Sequence, residues 1–161
     1  MAMTRLPAAD VGAALCARCG ACCDGTLFDV VPVAPEEAAP LRARGLDPFP
    51  RDHEADLVVA APCTAHTGAG CAIYAERPGA CASYRCRLLR EVADGAVSVG
   101  QAREVIGRAR ALADDLRCRV GAAHLGLRRA VELRRLEGAV DAELFADAAE
   151  LGALLDRIAG D

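Results

Sequence analysis

Lysine is absent from this chain of 161 residues: all 19 of its basic side chains are arginine. That excludes Schiff-base chemistry and a phosphate-loop lysine. Tryptophan is absent too, and aromatic residues make up only 3% of the chain. No apolar run approaches the roughly 18 residues that a membrane-spanning helix needs, so no membrane segment is expected. The opening "MAMTRLPAADVGAAL" lacks an unbroken apolar stretch, because Pro7 and Asp10 interrupt it, so no secretory signal is expected either. A basic face is missing: the formal charge is −4 and the pI about 5.4, which argues against a nucleic-acid partner. Dinucleotide and phosphate loops, G-x-S-x-G and H-E-x-x-H are all missing.

Cysteine, by contrast, is abundant, with nine in the chain. The default compartment for a chain without a leader is the cytoplasm, where thiols stay reduced. The count is odd, which does not suit a closed set of disulfides. Metal binding is the expected use. The hydrophobic content of 53% is inflated by alanine, and large core-filling side chains are scarce in residues 1–90. A staple other than packing would help that half to fold.

One domain is expected over residues 1–161, of fold class α+β. Residues 10–95 form a small, irregular, cysteine-rich metal-binding part with short strands. Residues 96–161 form a helical extension packed on it. Asp10 is placed to cap a short helix leading into Cys16. "TLFDVVPV" (26–33) and "ADLVVAA" (55–61) read as strands, and Pro32 puts the first at a sheet edge. "APEEAAPLRARG" (34–45) reads as a helix kinked or shortened at Pro40 and ended at Gly45. Further helices are expected over 86–95, from the Ser98–Gln101 capping box through Leu116, over 122–136 and over 141–158. The apolar faces would carry Leu133 and Leu136 on the third of these and Phe145 on the last.

The thiols fall in two groups. The first is "CARCGACC", with Cys16, Cys19, Cys22 and Cys23; the second is Cys63, Cys71, Cys81 and Cys86. A C-x2-C pair grips one metal because two intervening residues close a tight turn. Eight sulfurs could fill two tetrahedral zinc sites, or hold one or two iron–sulfur clusters. Adjacent Cys22 and Cys23 diverge on extended backbone, so they serve two metals or sit in a sharp turn, which Asp24-Gly25 favours. A bacterial ferredoxin run would need a cysteine at position 26, and so would a radical-type S-adenosylmethionine motif; that position is Thr26. The pattern also lacks the βαβ context of a thioredoxin-like C-x-x-C.

The order "CARCGACC", then "PCTAHTGAGCAIYAERPGACASYRC", resembles the YkgJ-type cysteine-cluster family, a proposed zinc- or iron-chelating domain. The resemblance covers about residues 16–95. It implies Cys16, Cys19, Cys22, Cys23, Cys63, Cys71, Cys81 and Cys86 as the metal ligands and leaves Cys118 outside. The chain departs from the family where an arginine often follows the seventh cysteine; here that residue is Ala82. Flagellin lysine-N-methylases resemble the same cluster. The resemblance therefore implies zinc or iron, including an iron–sulfur cluster, and leaves two function classes: a metal-binding module, and an iron–sulfur enzyme of protein lysine methyl transfer.

Around the thiols, eight thiolates and two Zn²⁺ would carry a formal charge of roughly −4. Arg18, Arg77, Arg85 and Arg87 lie close in sequence, and Arg77 and Arg85 are expected to offset that charge. Tyr74 is expected to pack over the site. His66, His53 and His124 read as solvated surface residues, Cys118 as a small core hydrophobe, and Asp24 as a cap on its turn. A protein partner is expected, if anywhere, on the C-terminal helices.

Overall fold

The computed structural model describes residues 8–51, 56–68, 70–121 and 125–160. His53 and His124, the start of the strand expected at 55 and the start of the helix expected at 122 lie outside them.

The first helix, α1 (Ala8–Cys19), runs through both leading cysteines. Asp10 lies within it rather than capping it. Three strands follow, β1 (Val30–Val33), β2 (Phe49–Pro50) and β3 (Leu57–Ala60), in an antiparallel sheet of order β1-β3-β2. Val31 faces Val59 and Pro32 faces Val58. Pro32 therefore sits on an edge strand, where its missing N–H costs nothing. The expected helix at 34–45 divides in two: a 3-10 turn (Pro35–Glu37) precedes α2 (Ala38–Ala43). Pro40 falls in the first turn of α2, where no intrahelical N–H bond is lost. A two-residue hairpin, β4 (His66–Thr67) with β5 (Gly70–Cys71), leads to α3 (Gly79–Ser83) and α4 (Arg87–Ala93).

The second half is α5 (Val99–Val120), α6 (Leu127–Leu136) and α7 (Ala142–Ala159). Their ends follow the capping residues. Ser98 Oγ accepts from the Gln101 N–H, and the Gln101 side chain accepts from Ser98 N at 2.9 Å. Asp141 accepts from the Leu144 N–H at 2.7 Å. Helix α5 packs on α7, α6 and α1, and α4 packs on α7 and α1.

Two separate cores result. The helical one centres on Leu15, Leu88, Ala102, Leu116, Leu155 and Ile158. The sheet-side one holds Val33, Leu41, Leu46, Val59, Ala65 and Ile73. Two of the expected apolar faces are narrower than periodicity suggested. Leu136 and Phe145 are 70% and 63% exposed, and Leu133 is exposed as well. On α6 the buried stripe centres on Leu127 and Ala130, with Leu133 beside it and Leu136 nearly opposite; on α7 it centres on Leu151 and Leu155, with Phe145 to one side.

One glycine fixes how the two halves meet. Gly25 has φ +78, and a Cβ there would stand 3.0 Å from Gly126 Cα and 3.3 Å from Pro62 Cδ. Its carbonyl accepts from the Leu127 N–H at 2.7 Å, at the start of α6. Gly25→Ala is expected to cost about 1–3 kcal/mol, from a left-handed alanine pressed against backbone. The urea midpoint of the metal-loaded chain measures it.

Candidate metal centre

The site begins at the C-terminus of α1. Cys16 and Cys19 are three residues apart on that helix, so they share one face. Gly20, with φ +65, ends the helix, and its N–H donates to Cys16 O at 3.1 Å. The chain then coils tightly: the N–H groups of Cys23 and Asp24 both donate to Gly20 O, at 2.8 and 2.9 Å. Asp24 caps this turn as expected, accepting from the Thr26 N–H at 2.9 Å. Arg117 of α5 clamps it, pairing with Asp24 Oδ1 at 3.0 Å and donating to Thr26 Oγ1.

The second group arrives on three supports. Cys63 N donates to Cys23 O at 2.7 Å, which sets those two residues side by side. Cys71 lies on β5 opposite His66, whose own N–H donates to Cys63 O at 2.9 Å. Cys81 rides on α3, whose first N–H, from Gly79, donates to Glu37 Oε1 at 2.7 Å. Glu37 also accepts from Ala34 N, so one carboxylate ties α3 to the sheet side. Nothing local in the sequence marks this long-range bond. Cys86 is buried and stands as the N-cap residue of α4.

All nine cysteines are free thiols. Each of the eight motif thiols lies within electrostatic reach of others in the set. As they stand, no three Cys, His, Asp or Glu side chains among the described residues are arranged to hold a metal ion. Holding a metal would bring sulfurs closer together than they stand here.

Burial and neighbouring sulfurs make Cys16, Cys19, Cys22, Cys23 and Cys81 reluctant to ionise. Burial comes first in every case. It pushes Cys19 and Cys81 up to about 11 and Cys23 up to about 12, and it raises Cys16 and Cys22 as well. Repulsion from neighbouring sulfurs adds to this, while a backbone hydrogen bond at Ala21 partly counters it for Cys19. Cys16 is exposed, yet protein surrounds it closely enough for desolvation to lead. A bound divalent cation reverses this logic, because it favours the thiolate outright. The donor set therefore fits zinc or iron: soft, numerous, clustered sulfurs with arginines nearby. Such a metal would hold the connecting segments together, and as iron–sulfur it would also carry electrons.

The residues around the thiols partly match expectation. Arg77 lies near Cys16 and Cys81, and Arg85 near Cys16, so both bring positive charge to the thiols. Tyr74 does not cover the site; it is 42% exposed, and the Arg77 guanidinium stacks over its ring at 3.8 Å. Tyr84 is exposed too, at 37%, and packs edge-on against Phe28 at 5.3 Å, with Cys22 and Cys86 in its vicinity. Only its position two residues before Cys86 marked it in the sequence. His66 is half-buried on a strand rather than solvated on a loop, and a Cβ at Gly20 would meet its Nε2 at 2.8 Å. Cys118 is exposed, not core: it falls between the buried Leu116 and Val120, on the other side of α5.

Eight clustered thiols on short irregular supports, stapled to a helical core, define a cysteine-cluster metal-binding class. The chain belongs to the CxxCxxCC family, described as "Putative zinc- or iron-chelating domain", whose model matches residues 15–104. No curated protein and no solved structure matches the chain significantly. Among the described residues, no helix is long and apolar enough to cross a membrane.

Proposed function

We propose that this protein is a metal-binding module that holds zinc, or iron, through the thiolates of Cys16, Cys19, Cys22, Cys23, Cys63, Cys71, Cys81 and Cys86. It works in the cytoplasm, where those thiols stay reduced. One observation carries the reading: the family's eight thiols gather in one basin although they come from segments up to 70 residues apart. Reactive single thiols would not need that company, and disulfides would use it up in pairs. The module reading is preferred to catalysis because the sequence carries no recognisable loop for a methyl donor.

The test is metal and acid-labile sulfide content on protein purified without oxygen, with a visible spectrum of the same sample. Colourless protein carrying zinc is the expected result. Cys19→Ser and Cys81→Ser should each lower the metal content and the thermal midpoint. Unchanged metal in both variants would sink the assignment of ligands. Brown protein with iron and sulfide would favour the second class, an iron–sulfur enzyme of protein lysine methyl transfer.

A further inference from the structure

We propose that the eight thiols make two separate four-sulfur metal centres, Cys16, Cys19, Cys22 and Cys86 in one, and Cys23, Cys63, Cys71 and Cys81 in the other. This division rests on the metal-binding reading above and goes further, because it says which sulfurs share a metal.

Four observations favour this division, against one contact that crosses it, α1 packed on β5, the strand of Cys71. First, the two cores part the thiols: Cys19 and Cys86 pack with the helical core, whereas Cys63 and Cys71 pack with the sheet-side core. Second, the supports differ. Cys16 and Cys19 lie on α1, which packs on α4 beside Cys86. Cys63 is bonded to Cys23 through the backbone, Cys71 sits on the hairpin that begins three residues after Cys63, and Cys81 rides on α3, packed on β1. Third, the tight turn closed on Gly20 O lies between the two supports, and Cys22 and Cys23 stand side by side within it. Fourth, their neighbours differ accordingly. Cys22 feels Cys19 and Cys16 most strongly among the sulfurs, and Cys23 feels Cys81 and Cys63. The adjacency that is awkward for one metal is natural for two, because successive side chains diverge.

Cys16 stands at the seam. Its strongest sulfur neighbour is Cys86, but Cys71 also reaches it, and it is the one exposed thiol of the eight. Arg77 borders both sets through Cys16 and Cys81, where it can offset two nearby centres that each carry excess negative charge.

The full-length chain loaded with cadmium-113 alone tests the division. Cadmium NMR is expected to give two resonances in the four-sulfur range. Correlation to cysteine β-protons should assign Cys22 to one and Cys23 to the other. A single resonance, both residues on one cadmium, or cadmium–cadmium coupling through a shared sulfur would overturn the division and leave metal binding intact. A chain that takes up no cadmium would overturn the metal-binding reading itself. Paired variants give a second measure. Cys19→Ser with Cys22→Ser should keep one tightly held cadmium, whereas Cys22→Ser with Cys23→Ser should keep none against a competing chelator. Equal retention in the two pairs would also overturn the division.

Discussion

Stripping the metal with a chelator is expected to unfold residues 57–86 while α5, α6 and α7 persist. The cause is the unequal distribution of core. Of the six largest fully buried side chains, Leu15, Leu88, Leu116, Leu155 and Val120 belong to the helical part, and only Val58 belongs to the sheet. The hairpin strands are two residues each, and hairpins of that size are not stable alone in water. Structural zinc supplies on the order of 10–16 kcal/mol in comparable thiol-rich sites. Removing it leaves the sheet side with less burial than its chain entropy demands. The helical core needs no such support, because Leu15 anchors α1 against it from inside. Amide exchange measures the outcome: Val58, Val59 and Cys71 should lose protection many-fold in metal-free protein, while Ala109 and Leu155 keep theirs. Equal protection with and without metal would show that the sheet stands by packing.

This imbalance also explains which parts of the fold were legible in the sequence. The C-terminal helices announce themselves through local rules: a Ser98–Gln101 capping box, Asp141 as a cap, and apolar residues at helical spacing. Those signals act within a few residues and survive without tertiary context. The cysteine half is built on contacts distant in sequence. Glu37 reaches Gly79 across 42 residues, and Arg117 reaches Asp24 across 93. No local pattern encodes such bonds. The thiols were legible as a set because a C-x2-C-x2-C-C run is conspicuous in any sequence, but the partners of the two tyrosines were not: both rings stay exposed, and only the fold sets Tyr84 against Phe28 and Arg77 over Tyr74. Phe145 and Leu133 misled for the opposite reason. Periodicity says which residues share a face, and not how far a neighbouring helix covers it.

Acidity should act on the loaded and the metal-free protein in opposite directions. In the loaded protein each centre must keep its sulfurs deprotonated, so protons compete with the metal. The free thiols ionise only near pH 11 for Cys19 and Cys81 and near 12 for Cys23. Throughout the neutral range, binding therefore expels about one proton from each of these raised thiols. A centre that holds two of them, as Cys23 and Cys81 do, should gain apparent affinity by at least about 10²-fold for each pH unit gained. Competition with a chelator of known affinity, at pH 6.5, 7.0 and 7.5, measures the slope. A slope near one would mean that a single thiol titrates, and would overturn the protonation of both. In the metal-free protein, where residues 57–86 open, α1 keeps Cys19 against the helical core, and burial holds its thiol at about 11, above the unfolded value near 8.5. The protonated thiol thus favours the fold. That stability is present in full below about pH 8.5 and is lost as pH rises through 11. Metal-free protein should accordingly melt at lower temperature above pH 9, whereas loaded protein should gain stability over the neutral range. Parallel melting curves from pH 6 to 10 separate the two, and a metal-free midpoint that climbs with pH would contradict the burial of the Cys19 thiol.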